Sequence, residues 1–65
     1  MKYKIQANVF AKTLGPACGT KVNTTVDCEN EETALHTARC VFNNYCVTLY
    51  LKRKEIFNFN DVKIL

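Results

Sequence analysis

Residues 30–44 read NEETALHTARCVFNN, and this stretch decides the fold. Its apolar side chains recur at three- and four-residue intervals, which is typical of one face of an α-helix. With the tyrosine that follows, they are Ala34, Leu35, Ala38, Val41, Phe42 and Tyr45. Asn30 suits an N-cap because its side-chain oxygen can accept a first-turn amide. Asn43–Asn44 suits a helix end because Asn tolerates left-handed backbone. The sequence predicts one helix, Asn30–Asn44.

Two segments before this helix alternate between polar and apolar residues. Lys2–Phe10 and Thr20–Asp27 both have the period of two that is typical of a strand with one face exposed to solvent. Between them, Ala11–Gly19 contains Gly15-Pro16 and Gly19, which favour a loop. We therefore expect an antiparallel pair of strands before the helix.

Alternation resumes after the helix. Cys46–Lys52 is predicted to be a third strand, because Val47, Leu49 and Leu51 alternate with Thr48 and Tyr50. Lys52–Glu55 is then a charged turn. Ile56–Phe59 is predicted to be a fourth strand, Asn60–Asp61 a turn, and Val62–Leu65 a short apolar tail.

The predicted order is ββαββ, in a single domain that covers residues 1–65. One helix must bury its apolar face on one side of one mainly antiparallel sheet, which gives a two-layer α+β fold. The other side of the sheet is then open to solvent. Its expected members are Lys2, Lys4, Gln6, Asn8, Lys21, Asn23, Thr25, Thr48 and Tyr50.

The length and the cysteines limit the cellular setting. No apolar run approaches the roughly 18 residues that a membrane span needs, and the N-terminus has no signal-peptide pattern. We expect a cytoplasmic protein without membrane contact. The four cysteines have three interpretations: free thiols, which a reducing compartment favours, a disulfide, or a metal site, although no Cys-x-x-Cys motif is present. They are Cys18, Cys28, Cys40 and Cys46.

Charge is distributed unevenly along the chain, whose net charge is +3. Four of its six acidic residues crowd the predicted start of the helix: Asp27, Glu29, Glu31 and Glu32. The basic residues lie elsewhere, mainly at Lys2, Lys4, Lys12 and Lys21 and at Lys52, Arg53, Lys54 and Lys63. The sequence predicts a bipolar molecule with one acidic corner.

Catalytic patterns are scarce. His36, the only histidine, falls on the solvated helix face, where nothing in the pattern orients it for proton transfer. Helix capping and the helix dipole account for the acidic cluster. Neither glycine opens a helix in the manner of a phosphate-binding loop. We expect no enzyme, no cofactor and no metal site.

Two surfaces are candidates for binding. Lys52, Arg53 and Lys54 form a basic run near Tyr50 and the Phe57/Phe59 pair, a combination that can contact phosphates and stack on bases. The simpler interpretation is a solvated turn, and lysines also protect strand edges. The polar sheet face is the second surface, since its amide and tyrosine side chains suit recognition.

The run Asn30–Ala38, after two strands and before a third, resembles the layout of very small phage proteins. The RNA polymerase inhibitor of podophages is similar in length and element order, and some anti-CRISPR proteins and phage antitoxins share that layout. The resemblance covers the order of elements and, as residues, only the helix start. It implies a short, cofactor-free protein that binds and blocks a host machine.

The expected function is therefore non-enzymatic: a protein-binding inhibitor or modulator, phage-encoded, acting on a host defence or transcription machine in the host cytoplasm. The alternative is a small nucleic-acid-binding module that uses the basic run. The partner is a host protein or a protein–nucleic-acid complex, and a homodimer is a further alternative. The predicted contact residues are Asp27, Glu29, Glu31, Glu32, Lys2, Lys4, Tyr50, Lys52, Arg53 and Lys54.

Overall fold

A computed structural model describes all 65 residues, Met1 to Leu65. The elements in chain order are strand β1 (Lys2–Ala11), a single 3₁₀ turn (Pro16–Cys18), strand β2 (Thr20–Asp27), helix α1 (Glu31–Arg53) and strand β3 (Phe57–Ile64). The helix packs on one face of a three-stranded antiparallel sheet. The two-layer α+β class is confirmed, with the order ββαβ.

The central strand of the sheet is β1, and the order across the sheet is β2-β1-β3. It pairs with β2 without interruption from Lys2 opposite Asp27 to Val9 opposite Thr20. Both predicted N-terminal strands are therefore present, and β1 extends one residue further, to Ala11. Period-two alternation turns Ile5, Ala7 and Val9 toward the helix, where they are buried.

The predicted helix end at Asn43–Asn44 is wrong, because α1 continues for 23 residues to Arg53. Ala34, Ala38, Phe42 and Cys46 are buried at four-residue spacing, so one helical face crosses both asparagines without a break. Lys54 ends the helix in left-handed backbone, with φ 56° and ψ 34°, and its amide donates to the Tyr50 carbonyl at 2.7 Å.

The predicted third strand, Cys46–Lys52, therefore belongs to the helix. Alternation of Val47, Leu49 and Leu51 matched a strand, but only Leu49 of the three turns inward. Val47 and Leu51 are exposed on the outer side of the helix. Despite its 23 residues, α1 is not apolar enough to cross a membrane.

The predicted fourth strand and the predicted tail are one strand, β3. The turn predicted at Asn60–Asp61 is instead a bulge inside that strand. Pairing with β1 shifts register between Gln6 opposite Lys63 and Asn8 opposite Asn60. Asp61 takes the extra position with a φ of 55°.

A core of six buried residues lies between the helix and the sheet. Phe42 and Ile5 are its largest members, and Phe42 also contacts Phe59 of β3 with ring centroids 5.9 Å apart. The others are Ala7, Val26, Ala34 and Ala38. The two buried positions in the first half of the helix are thus both alanines, Ala34 and Ala38.

The open sheet face carries the polar residues of β1 and β2 as predicted, but Thr48 and Tyr50 do not lie there, because both belong to the helix. Asn8 is also not solvated, and its side chain is 8% exposed. Its Nδ2 donates to the Pro16 carbonyl at 2.9 Å and to Asn60 Oδ1 at 3.2 Å. The loop after β1 therefore folds back over this part of the open face.

Candidate protein-binding surface

The acidic residues of the predicted contact set lie together. Asp27 ends β2, Glu29 lies in the link that follows, and Glu31 and Glu32 occupy the first turn of α1. We call these four residues the acidic end. Asn30 caps the helix there, because its side chain accepts the Thr33 amide at 2.9 Å. Two of the four carboxylates thus lie where the helix dipole stabilises negative charge.

Lys2 and Lys4 also lie at this end of the molecule. Lys2 is directly opposite Asp27 in the sheet, and Lys4 points from the open face. The amino group of Met1 donates to Asp27 Oδ1 at 3.1 Å, in an exposed ion pair. The predicted basic and acidic contact residues are therefore mixed here.

Lys52, Arg53 and Lys54 lie at the opposite end of the helix, about 34 Å away at a rise of about 1.5 Å per residue. They close the last turn of α1, where the helix dipole favours cations. Lys12 joins them, because its backbone amide donates to the Ile56 carbonyl at 2.9 Å. We call these four residues the basic end. None of them lies within salt-bridge distance of a carboxylate.

An apolar surface adjoins the basic end. Val47, Tyr50, Leu51 and Ile56 are 51%, 47%, 62% and 53% exposed. Sequence patterning placed Val47 and Leu51 in the core of a strand and so missed this surface. The available signal was the continued four-residue spacing from Phe42 to Cys46, which turns both side chains away from the sheet.

These exposed side chains are contiguous. A shallow groove of about 210 Å³ runs between the second half of α1 and the start of β3. Its lining residues are Asn43, Cys46, Val47, Tyr50, Ile56 and Phe57, of which only Asn43 is polar. Leu51 follows Val47 by one helical turn and extends the surface outward. We call Val47, Tyr50, Leu51, Ile56 and the groove the apolar patch.

The aromatic residues near the basic end are divided between the core and the surface. Phe59 packs on Phe42, and Phe57 is half-buried under Arg53, whose guanidinium carbon lies 5.9 Å from the ring centre. Tyr50 alone of the three predicted aromatic contacts is exposed. Phe59 thus packs on the core, whereas Phe57 lies between Arg53 and the groove that it helps to line.

The cysteines and the histidine lie apart from the apolar patch, with one exception. All four cysteines are free thiols, and Cys46 lines the groove from its buried side. Burial raises the pKa of the Cys46 thiol, so this group stays neutral and unreactive near neutral pH. His36 is exposed beside Glu32 and Arg39 on the solvent side of the helix.

No group of three or more histidine, cysteine or acidic side chains lies close enough to hold a metal ion. Comparison of the chain with protein-family models, with curated protein sequences and with solved structures found no match.

Proposed function

We propose that this chain is a small, non-enzymatic binding protein that inhibits or modulates a partner protein by direct contact. Its proposed setting is the cytoplasm of a bacterial host, where a phage-encoded protein of this kind blocks a defence or transcription machine. The apolar patch is the observation that carries the proposal. Contiguous apolar surface bordered by charge is a feature of interaction sites in small folded domains.

The apolar patch and the basic end together suggest the chemistry of the partner. Val47, Tyr50 and Leu51 supply aliphatic and aromatic contact area at the centre, which is the part of an interface that carries most binding energy. Lys52, Arg53 and Lys54 border it without acidic neighbours in pairing distance. A complementary partner surface has an apolar centre and an acidic margin, because opposed charges speed encounter and select the partner.

The test is affinity capture of the tagged chain from a candidate host lysate, followed by mass spectrometry. We expect a stoichiometric partner for the wild-type chain and its loss with Leu51→Asp. Leu65→Asp is the matched control, because Leu65 is exposed to a similar degree (57% against 62%) but lies at the other end, with its amide bonded to the Lys4 carbonyl. Equal capture by both variants, or no stoichiometric partner, contradicts the proposal.

Nucleic-acid binding by the basic end is the second candidate. The unpaired cations Lys12, Lys52, Arg53 and Lys54 favour it, while Tyr50 is the one aromatic residue there with an exposed ring. Binding of this type weakens steeply with salt, by a log–log slope of about −0.7 to −0.9 per phosphate contact. A mobility-shift assay at low salt without a shifted band eliminates this candidate.

A further inference from the structure

Strand β2 forms one outer edge of the sheet, and its backbone is regular over all eight residues. The amide of Cys28 donates to the Met1 carbonyl at 3.0 Å, which continues the pairing of β2 with β1. In an antiparallel pair, alternate residues direct their N–H and C=O groups toward the partner strand. The even-numbered residues of β2 therefore direct their backbone N–H and C=O groups toward β1. Lys21, Asn23, Thr25 and Asp27 direct their backbone groups away from the sheet.

The other edge, β3, differs from β2. The bulge at Asp61, with its positive φ, interrupts the regular repeat of β3. A bulge is one of the usual means by which proteins prevent edge-to-edge association. Strand β2 has no bulge and no proline, and its register with β1 has no shift. Of the two edges, β2 is the one that can accept another strand.

We propose that a second copy of this chain pairs with β2 through its own β2, antiparallel and centred on Thr24. Thr24 then lies opposite Thr24 of the second copy. Each residue with outward-directed backbone groups lies opposite another such residue of the second copy: Lys21 opposite Asp27, and Asn23 opposite Thr25. This register uses every outward N–H and C=O group of the strand and forms about eight hydrogen bonds. Shifting by two residues leaves part of the strand unpaired.

The side chains match in the same register. Lys21 and Asp27 lie at opposite ends of β2 on the open face, so a two-fold axis at Thr24 places each ammonium beside a carboxylate. On the helix face, half-buried Val22 lies opposite Val26. Directly opposed apolar residues and opposed unlike charges both stabilise antiparallel pairs. Within one chain, Lys21 pairs with Asp61 and Asp27 with the Met1 amino group. Both ion pairs are exposed, so they contribute little to stability and can be exchanged on pairing.

The resulting dimer has one continuous antiparallel sheet of six strands, with both helices on the same face. Pairing leaves the apolar patch uncovered, because that surface lies on the β3 side of the helix. The two basic ends then lie at opposite ends of the dimer. Self-association and partner binding are therefore separate properties of the molecule.

A charge exchange at the two ends of β2 tests the pairing by sedimentation equilibrium of the full chain. A single strand edge is small beside the about 800 Å² per partner of a standard interface, so we expect a dissociation constant in the micromolar range. The expected dimer has twice the 7.4 kDa mass of the monomer. Lys21→Glu places two carboxylates at each end of the pairing, and Asp27→Lys places two ammonium groups there.

Each single variant is expected to raise the dissociation constant about tenfold, because the affected pair occurs twice in the dimer. An equimolar mixture of the two variants, and the double variant K21E/D27K, should both recover the wild-type value. Lys63→Glu is the control, because it makes the same charge change on β3 and should leave association unchanged. A wild-type chain that stays monomeric at about 1 mM, or a dimer insensitive to the exchange, overturns the proposal.

A backbone variant provides a second test. The Thr25 amide points away from β1, so Thr25→Pro removes no hydrogen bond within the chain but blocks the edge. We expect a folded monomer by circular dichroism and sedimentation. Retained dimerisation in folded Thr25→Pro contradicts pairing through β2. The charge variants decide the matter if this variant does not fold.

Discussion

At the scale of single residues, Asn8 departs most from its sequence pattern. Alternation assigned it to the solvated face, yet it is buried under the loop that follows β1. Gly19 makes this approach feasible, because a Cβ atom at this position would clash with the side-chain oxygen of Asn8. Periodicity indicates which face a side chain occupies, but it does not indicate what covers that face.

Asn8→Ala should therefore destabilise the fold. It removes the buried side-chain donor that holds the Pro16 carbonyl and Asn60 Oδ1, and leaves that carbonyl with only the Gly19 amide. We expect a loss of about 1–3 kcal/mol in the free energy of unfolding. Asn23→Ala, at an exposed position on the neighbouring strand, should change this free energy by less than about 0.5 kcal/mol. Urea unfolding followed by circular dichroism measures both. Equal effects would mean that the loop is not held by Asn8.

At the scale of elements, the length of α1 is the main difference from expectation. The sequence of Asn43–Asn44 favours a helix end, but both residues lie on the solvent side of a continuous helix, where Asn costs little stability. Thr48 also supports continuity, because its hydroxyl donates to the Asn44 carbonyl at 3.0 Å. Packing of Phe42 and Cys46 on the sheet outweighed the weak local preference of two asparagines.

Asn44→Ala distinguishes a helix interior from a helix end. Within a continuous helix, alanine should raise the free energy of unfolding by up to about 0.7 kcal/mol. At a left-handed helix end, the same change should lower it, because alanine has a steric penalty in that conformation. The sign of the shift in the urea midpoint is the measurement, with the slope of the transition expected to stay constant.

At the scale of the whole molecule, a small core supports a long helix. Six residues form the core cluster, while Val47, Tyr50, Leu51 and Ile56 remain exposed at one end. A domain of this size has a stability of roughly 3–10 kcal/mol, at about 0.05–0.15 kcal/mol per residue. The free energy lost by truncating one large core side chain is therefore a large part of the total free energy of unfolding.

Phe42→Ala should lower the free energy of unfolding by about 3–5 kcal/mol, a large part of the roughly 3–10 kcal/mol available to a domain of this size. Val41→Ala is the matched control, because Val41 precedes Phe42 in sequence but is 39% exposed. Truncating the Val41 side chain should lower the free energy of unfolding by less than about 1 kcal/mol. Urea unfolding followed by circular dichroism measures both changes in the free energy of unfolding. A loss below about 1 kcal/mol for Phe42→Ala would show that the core cluster does not hold the fold.

The sequence by itself determined the two-layer α+β class, both N-terminal strands, the helix start at Asn30 and the clustering of four acidic residues around that start. These features depend on periodicity, capping and charge over short distances along the chain, which local patterns record well. Only the tertiary structure decided where the helix ends, that β3 is one bulged strand, and that Val47 and Leu51 face solvent. The physical reason is that alternating and helical patterns coincide over Cys46–Lys52, and burial against the sheet selects between them.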